Sequence, residues 1–529
     1  MVRTLDLLAL LVVLVALLSP NRIGDLGPSA FVRIPAEALV VLALVVALPA
    51  RPARVAAWSG GGLIALLTLG KLLDVGFFAV LARPFDPILD WLLIGFGVEF
   101  LNTTLGRPGA VLAVIGILVL VAATLVLVTR SVVRLTRLAV RRRALTGRAV
   151  AALSVVWIGC AAVGVQVDTD QPVAASATRD RVQQFRTGLR DQADFTRESA
   201  IDAFRDVPAG RLLTGLRGKD VLLVFIEAYG RSAVQDPRMA AQVDAVLADG
   251  DRRLSADGFG ARSAFLTSPT AGGASWLAHS TLLSGLWING PPRYRQLVST
   301  DRLTLNTAFE RAGWRSVGVL PAITRAWPDG RFYGYDRLYD QARLDYRGPR
   351  FGYAPMTDQY VLAALQRAEL AKAGHAPVMA TVALVSSHAP WAPLPELVGW
   401  DQVGDGSIFG PIQKAGQRPD DVWPDPTKVR AAYRRSIEYT LKTLVSYLTT
   451  YGDDNTVMIF LGDHQPLPLV TGERAGRDVP ITIVARDPAV LDQISGWGWD
   501  QGLNPQPNAP VWRMDAFRDR FLTAFGSRP

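Results

Sequence analysis

Cysteine is nearly absent. The 529 residues contain one, Cys160, which excludes a disulfide framework, an iron–sulfur cluster and a zinc site built on thiolates. Histidine is almost as scarce. His279, His375, His388 and His464 are the full set, so any chemistry that needs imidazole must draw on these four. Charge is thin as well: 19% of residues are charged against 50% hydrophobic. That balance excludes a disordered chain and departs from an ordinary soluble enzyme. The net charge of +9 is local, because seven arginines and no acid fall in Arg130–Arg148. No nucleic-acid partner is expected from a charge so confined.

The chain has long apolar runs instead, crowded into its first third. They are Leu5–Leu18, Ala36–Ala50, Ala56–Leu81, Ala110–Val128 and Ala149–Val165. A membrane-spanning helix needs about 20 such residues. The last three runs meet or approach that, and flanking residues extend the first two. Five transmembrane helices are therefore expected in residues 1–168. The first run has the basic start of a secretory signal, but Ser19-Pro20-Asn21-Arg22 is a poor cleavage site and further spans follow. The arginine-rich segment Arg130–Arg148 belongs on the cytoplasmic side. Five spans then place the N-terminus inside and everything after Val165 outside, the arrangement of a multi-pass plasma-membrane protein of bacterial type. Pro87–Leu101 reads as an interfacial or re-entrant piece. Residues 169–218 read as a linker, with an amphipathic pattern over Asp180–Arg205 that suits either a solvated helix or one resting on a neighbour.

Residues 219–529 alternate short apolar runs with helical patterns. Strands are expected at Val221–Ile226, Ser316–Leu320, Val378–Val385, Val457–Leu461 and near Ile481–Val484. Helices are expected at Arg231–Leu254, Ser275–Leu283, Leu303–Ala312, Thr357–Ala373 and Thr427–Thr450. Such alternation argues for an extracytoplasmic α/β domain with a largely parallel sheet. Ligands of such sheets bind beyond the carboxyl ends of the strands. Glu227 follows the first run, Ser386-Ser387-His388 the third, and Gly462-Asp463-His464 the fourth.

Those residues have chemistry to offer. An adjacent carboxylate and imidazole at a strand end, preceded by glycine, suit a divalent metal; hard oxygen with borderline nitrogen fits manganese, magnesium or zinc. The plain alternative is a surface Asp-His pair. Glu227 must be solvated, paired or metal-bound, since burying it alone is costly. In Thr267–Leu286, Gly272-Gly273 permits a close backbone approach and Ser275 opens a helix. Its hydroxyl can cap that helix or serve as a metal-activated nucleophile near the positive end of the dipole. Thr270 competes for the nucleophile role. His279 lies one turn on and can face the same ligand or pack within the helix. His388 can protonate a leaving oxygen or hold a phosphate oxygen.

As a set, Val224-Phe225-Ile226-Glu227-Ala228-Tyr229, the Ser275 segment, Ser387-His388-Ala389-Pro390-Trp391 and Asp454-Asn455-Thr456-Val457 running to Gly462-Asp463-His464 resemble the alkaline phosphatase and sulfatase superfamily. The likeness is strongest to lipoteichoic acid synthases and related phosphoglycerol or phosphoethanolamine transferases, and covers Lys219 to Asp487. It implies that Glu227, Ser275, Asp463 and His464 hold one divalent cation, manganese first. It also implies that His388 meets the substrate and that Trp327, with Arg325 or Arg331, holds a phosphate. Five spans before the catalytic domain is that family's layout too. Ser275–Gly285 has the length of a sulfatase signature, but Leu277 and His279 stand where that signature requires Pro and Arg, which argues against sulfate ester hydrolysis through formylglycine.

The expected activity is transfer of a phospho-alcohol head group from a membrane phospholipid to a cell-envelope glycan or lipid, through a covalent Ser275 intermediate. A phosphodiesterase or phosphatase on the same site is the nearest alternative. A non-catalytic envelope protein on the same fold is a further one. A transporter finds little support; Lys71 and Asp74 are the best intramembrane charges. Gly404–Asp425 reads as an insertion that could shape the acceptor side.

Overall fold

The computed structural model describes residues 2–31, 36–87, 90–162 and 190–527. They divide into two units, one within 1–191 and one within 192–529, the latter joined by Val80–Ala82.

The first unit is helical, with helices Val2–Leu18, Ala36–Ala47, Ala50–Leu81, Trp91–Arg141 and Arg143–Ala162. Two stretches, Arg51–Leu81 and Gly106–Arg141, are long and apolar enough to cross a membrane; Thr4–Leu18 and Ala38–Ala47 are shorter apolar helices. Most of the segment expected to be interfacial joins the long fourth helix, which turns at Gly106 (φ 71°) just before Pro108. Proline there removes a helical hydrogen bond and crowds the preceding turn. Lys71 Nζ donates to Leu17 O (2.8 Å), in the last turn of the first helix, and to Ser19 O (2.9 Å) just beyond it. Asp74 accepts from Asn21 Nδ2 and from the Phe85 amide.

The second unit is built on one sheet. Its strands are β1 (Asp220–Ile226), β2 (Gly260–Thr267), β3 (Arg315–Val319), β4 (Arg337–Tyr339), β5 (Val378–Leu384), β6 (Thr456–Gly462), β7 (Asp478–Ala485), β8 (Asp500–Gln501) and β9 (Val511–Arg513). They lie in the order β4-β3-β5-β1-β6-β7-β2-β8, with β9 also on β2. From β4 to β6 every pairing is parallel. β7 then runs antiparallel to both β6 and β2. The sheet is therefore mixed, where a largely parallel one was expected. β2 carries little sequence signal because Arg262 and Ser263 interrupt its apolar run, and β4, β8 and β9 are too short to show a period.

Alternation along β1 makes two cores. Leu222, Val224 and Ile226 face one, with helices Ala240–Ala256 and Pro426–Tyr451. Val221, Leu223 and Phe225 face the other, with helix Ser275–Ser284 and the C-terminal helix Ala516–Phe525. A strand apolar on both faces belongs in the centre of a sheet covered on both sides, and β1 sits there, between β5 and β6. The helix expected over Arg231–Leu254 breaks in two at Asp236-Pro237, since the residue before proline is pushed out of the helical region. The one expected over Thr357–Ala373 ends at Leu365 and continues as a wider turn over Gln366–Leu370.

Of the amphipathic stretch Asp180–Arg205, residues 180–189 lie outside the described residues, as does the linker from 169. The rest packs on the second unit. Phe195 is buried with Leu277, Leu286, Ile288 and Leu297, and Glu198 pairs with Arg293 at 3.0 Å. Asp202 goes deeper: it takes a two-pronged pair from the buried Arg518 (2.8 and 3.2 Å) and a third contact from Arg302 (3.3 Å). Arg518 also packs against Gly285, at the C-terminal end of helix Ser275–Ser284.

Candidate nucleophile and metal site

The register of the central strands decides which side chains meet. Ile226 stands level with Leu384 on β5 and Gly462 on β6. One residue further, the Glu227 amide donates to Leu384 O (3.0 Å) and the Asp463 amide to Ile226 O (3.3 Å). Glu227 and Asp463 thus leave adjacent strands at the same level, with His464 next. These three groups are buried, and their potential ligand atoms lie within 4.8 Å of one another.

Gly462 makes this closeness possible. A Cβ there would stand 1.8 Å from Tyr229 O, so only glycine lets the ends of β1 and β6 run so near each other.

Ser275 arrives from the side. Gly272 (φ 74°), Gly273 (φ 156°) and Ala274 (φ 63°) form a left-handed approach that delivers it as the first residue of its helix. Its hydroxyl does not cap the helix. It donates to Glu227 Oε2 (2.9 Å) and lies 3.2 Å from His464 Nε2. Ala228, immediately after Glu227, is also left-handed (φ 56°). Two alanines in that region, each beside a site residue, are strain of the kind held at functional sites.

The surrounding bonds fix the donors. Asp463 Oδ1 accepts from the amides of Ala228 (2.8 Å) and His464 (2.7 Å), which orients the carboxylate. His464 Nδ1 lies 2.8 Å from Gln465 O. With Nδ1–H donating there, Nε2 is the nitrogen left to meet a cation once the ring is neutral, and Nε2 is the atom facing Ser275 and Glu227. Ser387 Oγ donates to Glu227 O (2.6 Å), Ser268 Oγ to Asp463 O (2.6 Å), and Tyr433 OH to Ala228 O (2.8 Å). Sequence patterns do not single out these three supports as positioners. Ser387 and Ser268 lie within motifs whose neighbours carry the chemistry, and Tyr433 carries no sequence signal at all.

The electrostatics arise from two carboxylates and an imidazole sharing a dry space. Burial pushes the Glu227 carboxyl up, but the charges of His464 and His388 with hydrogen bonds from His464 and Ser275 outweigh it, leaving it far below the usual range. For Asp463, burial and the Glu227 charge prevail and push it up. Burial opposes charge on His464, yet the two facing carboxylates raise it to about 9. The cluster thus demands positive charge at its centre. With an oriented imidazole nitrogen and three oxygens, the donor set fits one divalent cation.

The remaining sequence candidates occupy varied surroundings. His279 is stacked on Phe225 (4.0 Å between centroids), and its buried Nε2 has no hydrogen-bond partner among the described residues. Burial pushes it down to about 4. His388 stacks face to face on Tyr353 (3.9 Å), with Nδ1 at 2.6 Å from Ala389 O. Thr270 Oγ1 donates to Gly273 O (2.7 Å), supporting the loop before Ser275. Trp327 stacks on Tyr333 (5.3 Å), while Arg325 and Arg331 are exposed on the segment after β3. Neither Trp327 nor Arg331 is seen to contact the buried cluster among the described residues. The insertion Gly404–Asp425 reaches the His388 loop through Trp423, whose Nε1 donates to Pro390 O (2.8 Å).

The fold and the site define an α/β domain that presents a hydroxyl and a metal-competent donor set at the ends of its central strands. The Sulfatase family model matches residues 280–474, a span that includes His388, Asp463 and His464 and begins after Glu227 and Ser275. The likeness to the Sulfatase family is thus shown for that stretch of the second unit. No curated protein matches it significantly. Similar solved structures include the lipoteichoic acid synthase LtaP from Listeria monocytogenes, at 12% identity over 64% of this chain and 78% of that one (TM-score 0.38). The Streptococcus pyogenes phosphoglycerol transferase GacH, in complex with sn-glycerol-1-phosphate, shares 12% identity over 63% and 90% (0.35). The phosphonate monoester hydrolase of Agrobacterium radiobacter shares 16% over 56% and 72% (0.34). At such identities none of them speaks to this chain's activity.

Proposed function

We propose that this chain is a membrane-anchored transferase that moves a phospho-alcohol head group, of the phosphoglycerol or phosphoethanolamine type, from a lipid donor to a cell-envelope glycan or lipid. In this reading five helices anchor it with the N-terminus inside and the catalytic domain outside, where such donors and acceptors meet. The observation that carries the reading is the Ser275 hydroxyl, which leaves its helix uncapped and points into the Glu227–His464 pair.

Glu227, Ser275, Asp463 and His464 would hold one divalent cation, manganese first, which when bound supplies positive charge against the serine oxygen and the phosphoryl oxygens. The Ser275 proton is directed at Glu227 Oε2. Ser275 Oγ attacks phosphorus; the Oγ–P bond forms as the bond from phosphorus to the diacylglycerol oxygen breaks, and that oxygen takes its proton from His388. An acceptor hydroxyl then attacks the same phosphorus and gives its proton to His388. The Oγ–P bond breaks and Ser275 Oγ takes back the proton it gave toward Glu227 Oε2. Arg325, Trp327, Arg331 and His279 are assigned to substrate binding.

The test is mass spectrometry of the purified protein incubated with membrane lipids and Mn²⁺, beside Ser275→Ala. A head-group adduct on the Ser275 peptide, absent from the variant, is the expected result, and its mass names the donor. Release of the free head group with no adduct would make the chain a hydrolase. An adduct on Thr270 would move the nucleophile.

A further inference from the structure

We infer that Asp358 is a positioning residue, whose carboxylate sets where the His388 turn stands beside Glu227. The inference rests on the role given to His388 above.

Asp358 opens helix Asp358–Leu365, just after the cap Thr357, whose Oγ1 accepts from the Tyr360 amide (3.2 Å). An aspartate in the first turn of a helix ordinarily serves the helix dipole from the surface. Asp358 is fully buried, and its side chain serves a different segment. Oδ1 accepts from the amides of Val385 and Ser386, both at 2.9 Å. Oδ2 accepts from Thr440 Oγ1 (2.7 Å). In return, the Asp358 amide donates to Ser386 Oγ (3.0 Å). One carboxylate therefore joins its own helix and the long helix Pro426–Tyr451 to the end of β5.

Beyond β5 the chain makes the turn that carries His388. The His388 amide donates to Val385 O (3.1 Å), the residue whose own amide is held by Asp358. Between them, Ser387 Oγ donates to Glu227 O (2.6 Å), and Trp391 Nε1 donates to Ser387 O (2.6 Å). The turn is pinned at two points, Asp358 on one side and the Glu227 backbone on the other, and His388 hangs between them. Burial pushes the Asp358 carboxyl up, against the pull of its donors. Three donors converging on one small side chain match a carboxylate's acceptors. Asparagine can match the geometry too: its oxygen accepts from both amides and its NH₂ donates to Thr440 Oγ1. Alanine leaves the Val385 and Ser386 amides without that acceptor, while Thr440 Oγ1 keeps Ser436 O (3.2 Å).

The experiment compares wild type, Asp358→Ala and Asp358→Asn, each with His388 intact and as His388→Ala. Two readouts are used with Mn²⁺ present. One is release of diacylglycerol from mixed micelles that hold phosphatidylglycerol and phosphatidylethanolamine. The other is the rate at which diethyl pyrocarbonate modifies His388, measured by peptide mass spectrometry with His375 in the same chain as reference. Asp358→Ala is expected to lower kcat about tenfold, the scale of a small misplacement of a catalytic group, and to leave KM within about twofold. It should also speed His388 modification several-fold relative to His375. Asp358→Asn should restore both, and the kcat loss should vanish on the His388→Ala background. Unchanged His388 reactivity in Asp358→Ala, an equal kcat loss without His388, or failure of asparagine to rescue overturns the inference. Absence of turnover in wild type sinks the proposed function instead, and the modification rates still decide this point. Asp358→Ser, too short to reach both amides, carries the same test if the alanine variant does not fold.

Discussion

Adding one carbon at Gly462 should damage the fold and the site together. The Cβ of an alanine there would stand 1.8 Å from Tyr229 O and 2.7 Å from Tyr229 C. Carbon and oxygen rest no closer than about 3.3 Å, so the ends of β1 and β6 must part by about 1.5 Å. Both clashing groups are backbone, and no rotamer change relieves them. Glu227 lies two residues before Tyr229 and Asp463 one after Gly462, so the separation falls between the groups assigned to the metal. Metal–ligand bonds tolerate errors of about 0.2 Å, and disturbing only the outer supports of a ligand already costs about 10–100-fold in affinity. Gly462→Ala should weaken Mn²⁺ binding by at least that factor. It should also destabilise the domain by about 1–3 kcal/mol, the cost of overpacking. Isothermal titration and scanning calorimetry measure the two effects on one preparation. Gly476→Ala is the control, because a Cβ there meets nothing within 4 Å. Wild-type Mn²⁺ affinity and an unshifted melting temperature in Gly462→Ala would refute the reasoning.

Two further predictions concern charge. Asp202→Ala removes the carboxylate between Arg302 and Arg518, whose side chains are 3% and 0% exposed. Breaking a buried pair from one side costs about 3–5 kcal/mol, to be read from denaturant unfolding; a loss under about 1 kcal/mol would show the arginines already satisfied elsewhere. The same residue sets a pH response. Burial raises the Asp202 carboxyl, but Arg518 and Arg302 outweigh burial and hold it below its usual 3.8. Its contribution is complete above that value and is lost as pH falls through the lower folded-state pKa, so Asp202→Ala should flatten the acid limb of the unfolding curve. Metal binding should respond in the opposite range. His464 is raised to about 9 and Asp463 is raised as well, and a cation must displace their protons. Mn²⁺ affinity should climb with pH up to about 9, with release of about one proton or more at pH 7, detectable as a buffer-dependent binding heat. A pH-independent affinity would contradict the charge balance drawn for the cluster.

The central strands and the residues just past them were legible because they are buried on both faces. Val221–Ile226 and Val457–Leu461 have no polar interruption, and the polar residue ending each run announces itself. Glu227, Asp463 and His464 could be selected from one dimension for that reason, and the strand register brings them together. β2 was not legible, because its partners on one side are an antiparallel strand and on the other two short edge pieces; its burial does not produce an unbroken apolar run. The supports Ser268, Tyr433 and Asp358 were invisible for a different reason. Each acts through a bond to a residue far away in the chain, such as Tyr433 to Ala228, and no local period encodes such a partner. Arg325 and Arg331 rest on spacing within a loop segment, where spacing constrains position least.

The proposed ligands Glu227, Asp463 and His464 hang from β1 and β6, the middle of the sheet, with partners on both sides and a packed core on each face. Amide hydrogens in such strands exchange with solvent only when the whole domain opens. Ordinary local fluctuations therefore do not loosen these groups. As temperature rises, the capacity to bind a cation should survive until cooperative melting and then vanish with it. The His388 turn is tied to the same framework, through Ser387 Oγ on Glu227 O and through the buried Trp391. Both halves of the proposed chemistry thus hang from the centre of the sheet, and heat should disable them together.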